Sequence, residues 1–176
     1  VAKLQVGDRA PDFMARNQQG ETVRLADYFG KSGLVLFFYP KDGTAVCTKE
    51  ACAFRDSYDQ FAKAGFEVIG VSSDSVQSHG EFAAKHQLEF PLLSDPDGSA
   101  RTAFGVPKSL GFVPGRVTYV IDRSGVIRLI FSALLASHEH VAKALEAVKS
   151  THESPSLYDG LLVRRSGTRR GLADGR

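Results

Sequence analysis

From Leu34 to Tyr39 the chain is apolar without interruption, and Gly33 and Pro40 close the run on either side. The stretch is too short for an independent helix, and an unbroken apolar run is what a strand buried on both faces requires. The period then changes. Val46 or Cys47, Ala51, Phe54, Tyr58 and Phe61 recur at steps of three and four, so they share one face of a long helix, with Thr44 at its N-cap. Gly65 follows, and Phe66 to Val71 predicts a second strand. Strand, helix, strand implies a right-handed parallel crossover. Asp74 and Ser75 offer the next N-cap, and Val76, His79, Phe82, Ala83 and His86 keep helical spacing toward Gln87. A further crossover unit is therefore expected, with Pro91 to Leu93 as a short strand. Ser94 to Gly98 is a turn cluster, and Ser99 to Phe104 predicts a brief helix ended by Gly105.

On the N-terminal side, Phe13 to Asn17 and Thr22 to Leu25 flank Gln18-Gln19-Gly20 and predict a short β-hairpin. On the C-terminal side, Val106 to Gly115 is rich in glycine and proline and predicts an irregular loop, with Arg116 at the junction to the next strand. Val117 to Ile121 and Val126 to Phe131 flank Asp122-Arg123-Ser124-Gly125, an antiparallel hairpin signal. Ser137 is expected to cap a last amphipathic helix with Val141, Ala144, Leu145 and Val148 on one face. Beyond Ser150 the periodicity fades. Two units are expected: a domain over residues 1–150 and an Arg-rich, flexible tail over residues 151–176. The element order predicts an α/β, thioredoxin-like fold, a central mixed β-sheet flanked by helices with an N-terminal β-hairpin.

Composition narrows the function classes. With 176 residues, 43% apolar and 24% charged, the chain has the make-up of a globular domain that can bury a core without disulfide staples. No apolar run reaches 18 residues, so no membrane span is expected. The net charge of +2 is uneven: from Ser154 on, five arginines stand against two aspartates, which leaves −1 for the rest. A body with no net positive charge argues against nucleic acid as a partner. Two cysteines neither make a disulfide scaffold nor complete a tetrahedral zinc site, and His138 and His140 read as a solvated helix start rather than as metal ligands. No metal and no cofactor is expected.

What remains is cysteine chemistry. Cys47 falls in the first turn of the predicted long helix, where unpaired backbone N–H groups and the positive end of the helix dipole favour an anion. The Thr44 hydroxyl and a cation from elsewhere in the chain would add to this. Arg116, after the rigid Pro114-Gly115 pair, is the candidate cation, and Arg55 is the local alternative. Pro40, which fixes φ and carries no N–H, can wall one side of a pocket without competing for a substrate.

These residues resemble a known family. Pro40, Thr44 and Cys47 reproduce the P-x-x-x-T-x-x-C signature of peroxiredoxins. The runs FFYPKD and CTKEACAFRDSY, the VTYVID strand and Pro114-Gly115-Arg116 are similar to the peroxiredoxin Q group, also called bacterioferritin-comigratory proteins, over about Val6 to Lys149. The resemblance implies a thiol-dependent peroxidase acting on hydrogen peroxide and organic hydroperoxides. Cys47 would attack the peroxide with Thr44 and Arg116 stabilising charge, and Cys52 would close an intramolecular Cys47–Cys52 disulfide reopened by thioredoxin or a similar dithiol. A monomer is the expected working unit. Five residues along an intact helix separate Cα atoms by roughly 8–9 Å. Disulfides close below about 7 Å, so the helix must unwind in each cycle.

Ala45-Val46 departs from the family pattern, which has Pro-Gly there; Val46 adds bulk beside the sulfur. The C-x-x-x-x-C spacing argues against a C-x-x-C thiol–disulfide oxidoreductase. A non-catalytic thiol redox sensor or holdase is the alternative function. The chain begins at Val1 and enters domain-like sequence at once, so any signal or transit peptide is expected to have been removed or not included. Cytoplasm for a bacterial protein, or chloroplast for a processed plastid protein, are the compartments that suit it.

Overall fold

A computed structural model describes residues 3–109 and 113–153. The chain opens with the expected hairpin, β1 (Met14–Arg16) and β2 (Thr22–Arg24). Asn17 holds its turn, since its Oδ1 accepts from the N–H groups of Gln19 at 3.0 Å and Glu21 at 2.9 Å. A 3-10 turn, Leu25–Tyr28, leads to β3 (Gly33–Phe38), all of whose residues are buried. Next come α1 (Ala45–Asp56), α2 (Tyr58–Lys63), β4 (Phe66–Ser72), α3 (Val76–His86), β5 (Leu92–Ser94) and α4 (Ser99–Ala103). The remainder is β6 (Lys108–Ser109), β7 (Val113–Pro114), β8 (Val117–Ile121), β9 (Ile127–Ser132) and α5 (Ser137–Glu153).

The main sheet has the order β2-β1-β5-β4-β3-β8-β9. β3, β4 and β5 run parallel through two helical crossovers, while β8 and β9 add antiparallel to the other side of β3. The hairpin joins the β5 edge antiparallel. This is the mixed, helix-flanked sheet the sequence predicts. The strand period divides the core cleanly. Val35, Phe37 and Tyr39 face Cys47, Ala51, Phe54 and Phe61 of α1 and α2 together with Val141, Ala144 and Val148 of α5. Leu34, Leu36 and Phe38 face the opposite layer, with Phe13, Phe104 and Tyr119. The sites of interest lie where β3 ends and α1 begins, in the first of these layers.

Three local expectations change. The single long helix is two helices, because Ser57 leaves helical geometry at φ −99° and ψ 1°; Asp56 and Ser57 are residues whose side chains compete for backbone groups and favour turns. The loop from Val106 to Gly115 contains a short antiparallel pair, β6 with β7, in register Lys108↔Pro114. Ser137 is the first residue of α5 and not its cap, since the N–H groups of Glu139 and His140 return to the Ala136 carbonyl. That helix extends to Glu153, three residues into the tail expected over residues 151–176, and the rest of that tail lies outside the described residues. No helix among the described residues is long and apolar enough to cross a membrane.

Candidate active site

Cys47 is the third residue of α1 and only 1% exposed. The first closed helical bond runs from Thr48 N–H to the Thr44 carbonyl at 2.8 Å, so the N–H groups of the first turn, those of Val46 and Cys47 among them, are free of intrahelical partners. Arg116 completes the setting from 69 residues away. It stands at the entry to β8, its side chain buried, and its Nη2 donates to Cys47 Sγ at 3.0 Å. Its Nη1 donates to Glu50 Oε2, and its Nε to the Leu134 carbonyl at 2.8 Å. Each guanidinium nitrogen therefore has a partner, and a cation with three fixed partners cannot drift from the sulfur, while one N–H on each terminal nitrogen is left over. Arg55, the local alternative, points elsewhere: its Nη1 donates to the His86 carbonyl at 2.7 Å and its Nη2 pairs with Asp56 at 3.0 Å.

Glu50 and His140 complete the polar cluster, and neither was singled out for it from the sequence. Glu50 is fully buried, one turn after Cys47 on the same helical face. A lone acid on an otherwise apolar face was the available signal. Its Oε1 has no hydrogen-bond partner and lies 3.7 Å from His140 Nδ1. His140, expected at a solvated helix start, is instead fully buried, whereas His138 is exposed. The reason is helical phase, since His140 sits beside Val141 and Ala144 on the inward side of α5. Its Nε2–H donates to the Ala133 carbonyl at 2.8 Å, and its Nδ1 accepts from the Thr118 hydroxyl at 2.8 Å. Burial pushes its pKa down to about 4; the Ala133 carbonyl opposes this, and the nearby Arg116 charge reinforces it. The ring is thus a neutral neighbour of the Glu50–Arg116 pair.

Thr44 occupies the N-cap position with extended backbone, φ −74° and ψ 152°, but its hydroxyl donates to the Lys41 carbonyl at 3.1 Å and makes no capping bond. The side chain is exposed and turned to its own loop, not to the Cys47 sulfur. Pro40 follows β3 and is half-buried at the start of that loop. Cys52 is half-buried further along α1, with Sγ 4.0 Å from His86 Nδ1, and both cysteines are free thiols.

The loop between Pro40 and Thr44 is anchored through Asp42. His79 Nδ1 meets Asp42 Oδ2 at 2.7 Å, Tyr39 donates its hydroxyl to Oδ1 at 2.6 Å, and Ser78 donates to Oδ2 at 2.8 Å. Burial raises the Asp42 pKa, but the bonds from His79 and Tyr39, the His79 charge and the Ser78 bond together hold it below the usual carboxylate range. Asp42, Asp74 and His79 bring ligand atoms within 4.8 Å of one another. Those atoms already serve internal hydrogen bonds, as Asp74 Oδ2 does for Ser72 at 2.6 Å and for the Asp42 N–H at 2.8 Å. The group is a structural network.

A buried thiol at a helix N-terminus, with a fixed guanidinium on its sulfur and a second thiol on the same helix, is an arrangement for nucleophilic sulfur chemistry. Comparison with known proteins agrees. Residues 6–130 match the model of the AhpC/TSA family. The chain belongs to the AhpC/TSA family. Within it, the chain falls in the peroxiredoxin Q group. It is 48% identical over 150 residues to the chloroplastic peroxiredoxin Q of Arabidopsis thaliana, covering 85% of this chain and 69% of that one. The fold superposes on the peroxidoxin BcpB of Mycobacterium tuberculosis with a TM-score of 0.78 at 35% identity, covering 84% of this chain and 97% of that chain. It also superposes on a Xanthomonas campestris bacterioferritin comigratory protein studied for its alkyl peroxide reduction activity, with a TM-score of 0.74 at 32% identity, covering 80% and 92%. The sheet and helices are those of a thioredoxin-like peroxiredoxin, and the chain is a thiol-dependent peroxidase.

Proposed function

We propose that Cys47 is the thiol that attacks peroxide, that Arg116 stabilises the charge this moves, and that Cys52 resolves the product as an intramolecular disulfide. The observation that carries it is the 3.0 Å contact from Arg116 Nη2 to Cys47 Sγ at the first turn of α1. An N–H aimed at sulfur favours the anionic nucleophile. In the first step Cys47 sulfur bonds to one peroxide oxygen as the O–O bond breaks. The other oxygen leaves with the bonding electrons and takes a proton, as water from hydrogen peroxide or as an alcohol from an organic hydroperoxide. Arg116 and the N–H groups of Val46 and Cys47 supply donors to the oxygen that gains charge. Thr44 and Pro40 border the same loop; Thr44 joins the donors when its hydroxyl turns from Lys41 to the substrate.

Cys47 is left as a sulfenic acid. The Cys52 sulfur then attacks it, the S–O bond breaks, water leaves, and a Cys47–Cys52 disulfide forms. A dithiol reductant of the thioredoxin kind reopens it by exchange. Since both sulfurs lie on one helix, a single chain completes the cycle, which supports a monomer as the working unit. Organic hydroperoxides join hydrogen peroxide as substrates because the Xanthomonas campestris relative acts on alkyl peroxides. A chloroplast or a bacterial cytoplasm, both of which hold such reductants, suits the cycle.

The test is peroxide consumption coupled to thioredoxin. Cys47→Ser abolishes turnover, whereas Cys52→Ser keeps one fast turnover and stalls as a sulfenic acid that a dimedone probe labels. A Cys47→Ser protein that consumes its first equivalent of peroxide as fast as wild type refutes the assignment.

A further inference from the structure

The ladder between β3 and β8 ends at the pair Phe38↔Val117. Past that pair one segment leaves toward Pro40 and Cys47, and the other arrives through Gly115 at Arg116. The two carbonyls at this open end share a partner. Arg101 donates from Nη2 to the Tyr39 carbonyl at 3.2 Å and from Nη1 to the Gly115 carbonyl at 3.1 Å. A planar fork thus takes over where backbone pairing stops. Arg101 itself is fixed from α4: it is 8% exposed, its N–H donates to Asp95 Oδ2 at 3.0 Å, and its guanidinium stands 5.8 Å from the Phe38 ring centre. Gly115 leaves no slack, because a Cβ there would run into the Pro107 carbonyl.

Arg101 is a costly residue with which to cover two carbonyls. Its side-chain hydrogen bonds go to neutral carbonyls, its Nε has no partner, and burial lowers its pKa against the opposing charge of Asp95. A buried cation with an unmet donor is costly where an apolar side chain of like volume would fill the space. What Arg101 fixes is the gap between the segment that carries Cys47 and the segment that carries Arg116.

We propose that Arg101 is a positioning residue for the peroxide step, its fork setting the separation of these two segments and through it the Arg116 to Cys47 contact. The proposal rests on the reading of Cys47 as the attacking thiol. Small misplacements at a reacting centre are expensive in rate, about 100-fold for 1 Å. Two variants test it. Arg101→Met fills the volume without the fork, and Arg101→Lys keeps the charge but reaches one carbonyl at most.

The expected result is a first peroxide step slowed by about tenfold or more in both variants. The urea midpoint of Arg101→Met falls modestly, since two buried carbonyls lose their donor, while Cys47–Cys52 disulfide formation keeps its wild-type rate, because that step follows the opening of α1. A first step as fast as wild type in either variant overturns the proposal. So does an equal slowing of the peroxide step and of disulfide formation, which is the mark of a purely structural role. Wild type and Cys47→Ser run alongside keep the two readings apart: if only the Arg101 proposal fails, wild type stays fast and the Arg101 variants match it. If the attacking-thiol reading fails, wild type is no faster than Cys47→Ser and both are overturned.

Discussion

Arg116 Nη2 lies 3.0 Å from Cys47 Sγ while Nη1 of the same guanidinium is bound by Glu50, three residues along the helix that carries the sulfur. The cation is held by the element it serves, and Nε is tied to the Leu134 carbonyl at 2.8 Å. Three donors spread in one plane cannot be reproduced by an ammonium group. Arg116→Ala is expected to slow the first peroxide step by about 100- to 1,000-fold, the cost of removing one donor from developing charge, and Arg116→Lys recovers little of it. Arg55→Ala leaves the step close to wild type, since that side chain serves His86 and Asp56. Stopped-flow peroxide consumption under single-turnover conditions checks both; a wild-type rate in Arg116→Lys would show that charge alone suffices.

The buried His140 sets an acid limit on stability. Its pKa of about 4 in the fold compares with 6.5 for a free ring, so between those values the unfolded chain binds the extra proton and the native one does not. Stability therefore falls as pH drops from 6.5 toward 4, by about 3 kcal/mol at most for a shift of this size. The lowered Asp42 gives up its own contribution as pH falls through its folded value, which lies below 3.8 and so below that window. His140→Gln keeps a donor for Ala133 but does not titrate, so its urea midpoint stays flatter over the same range. Parallel acid losses in the two proteins would place the titrating group elsewhere.

Most of the frame was legible because it rests on period and punctuation. The run from Leu34 to Tyr39 has one solution, a strand covered on both faces, and Phe66 to Val71 has the same; both are central. Cys47 was legible for a local reason, its place in a first helical turn, and Arg116 for its position after Pro114-Gly115. Glu50 left only the weak signal of an acid on an apolar helix face, and His140 none, because their partners come from α5 and β8, far along the chain. Thr44 stands at the N-cap as its position predicts, but the direction of its hydroxyl, which donates to the Lys41 carbonyl, is set by the loop and not by residue type. Arg101 had no sequence signal, since its partners are backbone carbonyls that leave no trace in residue identity.

Asp42 and His79 tie the Cys47 loop to α3, with Asp42 side-chain exposure at 6% and His79 at 0%. His79 Nε2 faces the Leu93 carbonyl at 3.1 Å, so both ring nitrogens point at acceptors. Asp42→Ala removes the partner of one of them inside the fold and is expected to cost roughly 3 kcal/mol. It also frees the loop, so amide exchange from Asp42 to Cys47 quickens more than exchange in β3. Uniform acceleration across both segments would mean that the pair stabilises the whole domain and not this loop.

The first turn of α1 must be stable enough to present Cys47 and weak enough to release it, and Ala45 is the residue at which that balance can be tested. A disulfide to Cys52 cannot close on the intact helix, whose geometry separates the Cα atoms by roughly 8–9 Å. Ala45 is the first helical residue, and Thr44 before it already holds the extended conformation, φ −74° and ψ 152°, that a following proline demands. Proline at this position loses no helical hydrogen bond and restricts the unwound chain, which stabilises by about 0.4–1 kcal/mol. Ala45→Pro is thus expected to raise the melting temperature and leave the peroxide step unchanged. Disulfide formation slows by about two- to fivefold, the same energy now opposing the opening. Val46→Gly acts in reverse, since glycine weakens a helical turn by about 0.3–0.5 kcal/mol relative to valine, so the double variant returns toward wild type in both stability and resolution rate. Quenched-flow trapping of the Cys47–Cys52 disulfide measures the rate, and a faster resolution in Ala45→Pro would mean that α1 opens from a point beyond its first turn.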